Sequence, residues 1–336
     1  MKYLALLLIG AIGFNSEATE SLGTTTTVNS LIKTIEANYV QTEKVASINA
    51  QLLQLASDED LTGFHHPAEL ATFLTAQLKV FDTHFAVQYQ GKNSEKTEDS
   101  VKEGWFATLQ RSNFGFNKVE ILSGNVGYID FWGFDAVTDE SRATVKGLMQ
   151  FVAHSDALII DLRRNGGGDP QMVQLISSYF LPKKTHLNSF YSRATGALTE
   201  FWTFDSIEQM FGSDFPLYIL ISNKTFSAAE EFSYNFKQLK RATIIGQSSK
   251  GGANPWQWFE LGDGFRAAIP VSMAVNPISK TNWEGVGVIP DINVASESAL
   301  THAYIQALTL LAKRKTNPYQ LVEINQKLTE LTTEKP

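Results

Sequence analysis

Residues 217–239, LYILISNKTFSAAEEFSYNFKQL, constrain the fold of this 336-residue chain more than any other stretch. The aliphatic run Leu217–Ile221 has the length and composition of a buried strand, and Phe232, Phe236 and Leu239 then recur at helical spacing. Ser227 sits at the joint. Two readings of it stand side by side. With Glu230 it forms S-x-x-E, a helix capping box, and Thr225 is a second candidate cap. The same position is also suited to a nucleophile, because the helix that follows aims free N–H groups and its positive dipole end at the hydroxyl, where an oxyanion would be stabilised.

The rest of the chain has the pattern of two domains. Apolar residues at helical spacing across 28–81, among them Leu31, Ile32, Ile35, Leu52, Leu70, Leu74 and Leu78, predict a small helical bundle. His65-His66-Pro67 interrupts it; adjacent histidines lack the spacing of metal ligands and read as a surface loop, so no metal site is expected. Phe85, Val87 and Tyr89 then alternate as in a strand, which puts His84 at the edge of the bundle where the second domain begins. Residues 91–103 are polar and predict a loop. Segments 119–122 and 126–132 flank Ser-Gly-Asn as a hairpin, 158–162 is a buried strand, and a helix follows at about 170–181. Strands at 256–261, 265–269 and 271–275 surround Gly262-Asp263-Gly264, and 299–311 is an amphipathic helix. Strands alternating with helices, mixed with hairpins, indicate a layered α/β domain. The expected division is a signal peptide at 1–18, a helical domain at 24–90, a catalytic core at 100–315 and a polar helix or tail at 316–336.

Lys2, the apolar run 3–13 and Ser16-Glu17-Ala18 have the order of a secretory signal peptide, and no later stretch is long and apolar enough to span a bilayer. An exported protein, periplasmic or secreted, is expected, with no transmembrane segment in the mature chain. A net charge of −7 without basic runs gives no electrostatic reason for a nucleic-acid partner. The absence of cysteine excludes disulfides and thiol catalysis. The 22 Phe and 6 Trp suit a large core or an apolar groove.

Three loops have chemistry-bearing residues. The first, 161–170, reads Asp-Leu-Arg-Arg-Asn-Gly-Gly-Gly-Asp-Pro and joins a strand to a helix capped by Asp169 with Pro170 at its first position. Its glycines let backbone N–H groups approach a ligand; phosphate fingerprints are missing, so the alternatives are an oxyanion donor and a tight turn. The second, 246–255, holds Lys250 and Gly251, and Lys250 would act as a general base if buried. The third, 282–291, sets Glu284 between Trp283 and Gly285.

These motifs resemble, as a set, the serine peptidase family of the C-terminal processing (tail-specific) peptidases and the interphotoreceptor retinoid-binding proteins, nearer the retinoid-binding-protein-like bacterial branch. The matching stretches are VGYIDFWGF, LIIDLRRNGGG, TFSAAEEFSYNFKQLKRATIIG, GGANP, NWEGVGVIPDI and DTHFAV, in the family's order. The resemblance implies an α/β fold, a crotonase- and ClpP-like β/α core behind a small N-terminal helical bundle, with Ser227 as nucleophile and no metal or organic cofactor. Residues 90–116 leave no room for the PDZ domain that processing peptidases usually carry. Their lysine base lies within Gly-Lys-Gly, whereas here Lys250 stands just upstream of Gly251-Gly252.

The sequence is also similar to the tricorn-type peptidases, in which a histidine and a glutamate join the serine. That arrangement implies His84 as base, Glu284 orienting it, Thr83 adding a hydroxyl contact, and the N–H groups of Gly167 and Ala228 as oxyanion hole; Thr83, Lys250 and Gly251 would contact substrate. The expectation is an exported serine peptidase acting on peptide or protein substrates through an acyl-enzyme. The alternative is a non-proteolytic carrier of apolar, retinoid- or lipid-like ligands or of peptides. The sequence does not set the oligomeric state.

Overall fold

The structure is a computed structural model that describes residues 24–57, 64, 66–91 and 103–333. The expected signal peptide, His65 and residues 92–102 of the polar loop lie outside the described residues. No described helix is long and apolar enough to cross a membrane.

The chain opens with helices α1 (Thr24–Asn38), α2 (Thr42–Ser57) and α3 (Pro67–Leu78), the last started by a proline where no N–H is needed. Strand β1 (Ala86–Tyr89) and helix α4 (Trp105–Arg111) lead to strands β2 (Phe116–Leu122) and β3 (Val126–Phe131). Helix α5 (Asp139–Phe151), strand β4 (Ala157–Asp161) and helix α6 (Pro170–Ser177) follow. As expected, the Asp169 carboxylate caps α6 by accepting from the Gln171 N–H at 2.7 Å. Next come β5 (His186–Ser192), β6 (Leu198–Trp202), β7 (Leu217–Ile221) and α7 (Ala228–Gln238). The chain continues through β8 (Thr243–Gly246), β9 (Trp256–Gly262), β10 (Phe265–Pro270), β11 (Ser272–Val275) and the short β12 (Ile292–Asn293). Helices α8 (Ala299–Arg314) and α9 (Pro318–Thr333) complete it.

The central sheet has the order β12-β8-β7-β4-β3-β2, parallel throughout except for the β2–β3 hairpin. Every residue of β4 and β7 is buried, because the sheet is covered on both faces. Leu158, Ile160, Leu217, Ile219 and Ile221 face one apolar layer with Val145 and Met149 of α5, Val173 and Ile176 of α6, and Phe232 and Phe236 of α7. The alternate residues Ile159, Tyr218 and Leu220 face Ala303, Ala307 and Leu308 of α8 and Ile324 of α9. Period-two alternation thus serves two cores at once, which is why these strands read as unbroken aliphatic runs.

Two smaller antiparallel sheets, β1-β10-β9 and β11-β5-β6, flank the central one. Sequence periodicity does not announce the second, since the side chains of β6 are mostly exposed. Helices α1–α3 bury Leu31, Ile35, Leu52, Leu70 and Leu74 in one cluster with Leu261, Phe265, Ala267 and Ile269 of the β9–β10 hairpin. The helical layer therefore shares its core with strands some two hundred residues downstream.

A cavity at Ile269 would remove contacts from both partners. Ile269→Ala is expected to cost about 2–5 kcal/mol and to lower the urea midpoints followed by helical and by tryptophan signals together. Two separated transitions would show the helices to be an independent unit.

Candidate active site

Strands β4 and β7 are parallel neighbours, with Asp161 opposite Leu220, so the loops at their C-terminal ends emerge side by side. Ligands of open α/β sheets bind at this edge. Thr225 stitches the two loops together: its Oγ1 donates to the Leu162 carbonyl at 2.8 Å and accepts from the Ser222 N–H at 2.9 Å. Asn165, fully buried, donates through Nδ2 to the Phe131 carbonyl at 3.0 Å, and its own carbonyl accepts from the Phe226 N–H at 3.1 Å.

Ser227 follows in a left-handed conformation, φ 55° and ψ −120°. For a residue with a Cβ this costs of the order of 1–3 kcal/mol, and the surrounding bonds hold it there. The Ser227 N–H donates to Glu230 Oε2 at 2.8 Å. That is the reach-back arm of the capping box, and the same Glu230 carboxylate also accepts from Ser249 Oγ (2.6 Å) and from the N–H groups of Gly251 (2.6 Å) and Gly252 (2.8 Å). Burial pushes Glu230 up from the ordinary carboxylate range, and these donors pull against it. Capping and nucleophile positioning are one device here.

The 249–253 loop so held lies against His84. A Cβ on Gly252 would sit 2.1 Å from Phe226 Cε2 and 2.8 Å from His84 Cε1, so only glycine fits. The His84 ring packs on Phe226 at 4.6 Å between centroids. His84 and Ser227 line one cavity of about 780 Å³, together with Gly168, Ala228, Gly252 and a set of aromatic side chains.

Behind His84 lie two carboxyl groups. The Asp82 Oδ1 atom is 3.7 Å from His84 Nδ1 and accepts from the His84 backbone N–H at 3.0 Å. Its Oδ2 accepts from Asn254 Nδ2 at 2.8 Å and from the Tyr39 hydroxyl at 3.4 Å. Glu284 Oε2 accepts from the Ala253 N–H at 2.6 Å, while Oε1 and His84 Nδ1 are buried without a hydrogen-bond partner among the described residues. Burial, and then the nearby Asp82 charge, push Glu284 up to about 8. Donor atoms of Asp82, His84 and Glu284 lie within 4.8 Å of one another. That spread is wider than the roughly 3.4 Å between ligands of a tetrahedral zinc with bonds near 2.05 Å.

The remaining expected residues sit around this centre. Thr83 Oγ1 donates to the Gly251 carbonyl at 3.2 Å, so it braces the loop. Gly251 is held by Glu230 on one side and accepts from the Gly285 N–H at 3.0 Å on the other. Lys250 is exposed, with Nζ 4.5 Å from the centre of the Phe226 ring. Gly167, at φ +92°, packs so closely that a Cβ would lie 2.6 Å from Ser227 Cβ. Its N–H is donated to Asn165 Oδ1 at 2.9 Å, in contrast to the free donor expected from sequence. The N–H groups of Gly168 and Ala228 have no acceptor among the described residues, and both residues line the cavity. Asp82 escaped the sequence reading although it stands two positions before His84, because its role depends on Tyr39 and Asn254 from distant segments.

Comparison with known proteins joins this geometry to a family. Residues 125–294, half of the chain, match the sequence pattern of Peptidase family S41. The chain belongs to that family. The S41 match includes the glycine loop, Ser227 and Glu284, and begins after His84. A curated relative is carboxyl-terminal-processing peptidase 2 of Arabidopsis thaliana, chloroplastic, 27% identical over 235 residues that make up 65% of this chain and 43% of the relative. The S41 chain thus spans less than half the length of that relative. Among solved structures, mature CPAF in complex with lactacystin superposes with a TM-score of 0.60 at 13% identity, over 90% of this chain and 99% of the other. The tricorn protease superposes with a TM-score of 0.53 at 14% identity, over 95% of this chain and 37% of the other. These likenesses show the fold.

Glu231, also buried, is pushed up to about 8 like Glu284, against an ordinary 4.5. Below about pH 4.5 both carboxyls are protonated folded or unfolded; between about 4.5 and 8 the fold holds protons that the unfolded chain releases. The stability they contribute is therefore full below the unfolded value and lost as pH rises through the folded one. Urea midpoints should fall between pH 5 and 8, and Glu231→Gln should flatten part of that fall. A midpoint that climbs across the window, or a slope unchanged by the variant, would contradict the assignment.

Proposed function

We propose that the protein is an exported serine peptidase that hydrolyses peptide bonds through an acyl-enzyme on Ser227. The observation that carries this is the strained Ser227 at the start of α7, opening into the cavity that His84 also lines. In the proposed reaction His84 takes the Ser227 proton as Oγ attacks the substrate carbonyl, then returns it to the leaving amine; water repeats the sequence on the acyl-enzyme. The oxyanion is met by the Ala228 N–H and by the 166–168 turn, where the Gly168 N–H is uncommitted and the Gly167 N–H is engaged by Asn165.

Two carboxyls packed together do not both ionise readily, and Glu284 is the one displaced toward the protonated form. The carboxylate closest to His84 Nδ1 is that of Asp82. We therefore assign Asp82 the orienting and charge-compensating role, with Glu284 protonated nearby. The expected export signal at 1–18 and the family likeness to processing peptidases support an extracytoplasmic setting. Thr83 and Gly251 brace the loop, and Lys250 lies at the rim as a substrate contact. The cavity's aromatic lining also suits the carrier alternative, which needs no activated serine.

A fluorophosphonate probe separates the two, since it should label Ser227 in the wild-type chain and leave Ser227→Ala unlabelled. Absence of labelling in folded protein would end the peptidase reading. With an unstructured peptide pool, His84→Ala is expected to lower turnover on the order of 10⁴-fold. Asp82→Asn should be impaired to a similar degree, and Glu284→Gln, which imitates the protonated acid, considerably less. Lys250→Ala should keep most activity; its loss alongside a near-normal His84→Ala would make Lys250 the base.

A further inference from the structure

Two consecutive glutamates lie in the first turn of α7, both buried, and their surroundings differ. Glu230 accepts four hydrogen bonds. Glu231 is 3% exposed, and the side chain that favours its charged form is Asn188. Its backbone N–H bonds to the Ser227 carbonyl at 2.9 Å, so it stands one turn further along the helix on the same face as the nucleophile. Its side chain lines the cavity that holds Ser227. Beside it lies Asn188, wholly buried, whose carboxamide oxygen and nitrogen make no well-formed hydrogen bond among the described residues.

Burying a carboxyl with only a carboxamide beside it in an apolar surround is costly, and a buried carboxamide whose hydrogen-bonding capacity is not filled points to a ligand that completes the pair. The walls indicate its shape. Pro170, Phe190, Phe201 and Trp256 supply apolar surface, and Thr199 and Ser272 also face the cavity. Four residues of helix rise place Glu231 about 6 Å beyond Ser227 along the axis, roughly the reach of a four-carbon stem. An ammonium offers three donors and no acceptor, which two Glu231 oxygens and Asn188 Oδ1 would meet.

We propose that this cavity is a subsite for a lysine side chain of the peptide, its stem along the aromatic walls and its ammonium on Glu231 and Asn188. As a substrate subsite it rests on the peptidase reading; as a binding site it does not. Binding takes up the charged form of Glu231, which burial and Asp169 disfavour in the free protein while Asn188 favours it. A lysine ligand therefore displaces a proton, and its affinity rises with pH until the free carboxyl is ionised, near 8.

The test uses Ser227→Ala protein, so that binding is measured without turnover. Quenching of Trp105 and Trp256, which line the cavity, reports titration with a short peptide containing lysine and with its norleucine counterpart. The expected result is at least a tenfold preference for lysine at pH 8.5, shrinking toward pH 6, and abolished by Glu231→Gln in the same background. Equal or tighter binding of norleucine at pH 8.5 would overturn the proposal and mark an apolar subsite with a neutral Glu231. So would a lysine preference that survives Glu231→Gln, or one that does not change with pH in the unsubstituted Glu231 protein. If lysine is preferred as described but the wild-type chain cleaves neither peptide and resists the fluorophosphonate, the subsite stands and the peptidase reading fails.

Discussion

The buried Glu230 carboxylate is the interaction on which the site depends. It accepts from the nucleophile's own N–H and from three donors in the 249–252 loop, so one side chain fixes the start of α7 and the loop that packs on His84. Each donor stranded by its loss would cost about 1–3 kcal/mol, comparable with the strain stored at Ser227. Such a network holds a non-glycine residue at positive φ without any contribution from Ser227's own preference. The same bonds bring Gly252 against the imidazole, so the serine and histidine sides of the cavity are positioned by a single acid.

That acid works only because the sheet delivers its partners to one edge. Burial of β4 and β7 on both faces forces parallel neighbours with helices above and below, and parallel strands end their βα loops on the same side. The glycine turn after β4 and the serine joint after β7 are thereby adjacent. Thr225 and Asn165 convert adjacency into bonded contact. At Gly167 and Gly252 the approach is so close that a single added carbon would displace Ser227 or Phe226.

The opposite wall comes from a different part of the chain. Asp82 and His84 follow α3, and strand β1 secures them by pairing with β10, for example Ala86 with Ala268. The helices pack on that same hairpin, so His84 inherits its position from a core shared between the first and last thirds of the molecule. Crowding of Asp82 and Glu284 behind the imidazole follows from this convergence, and so does the division of labour between them.

Much of this was legible locally. The strand-to-helix joint at Ser227, the aliphatic runs of β4 and β7, the Asp169-Pro170 helix start and the glycine-rich turn are all written in neighbouring residues, because backbone conformation and burial of one face are decided within a few positions. The sequence therefore determined a layered α/β core with a serine at the head of a helix. Only the tertiary structure decided that His84, 143 positions earlier, shares a cavity with that serine, and that Asp82 rather than Glu284 stands nearest its ring. It also decided that the Gly167 N–H is engaged by Asn165, and that Glu231 lines the cavity while Glu230 is saturated by four donors in the loop and at the joint. Those outcomes depend on which side chains meet after distant segments pack, and on how much water their meeting excludes. No local period or spacing encodes either.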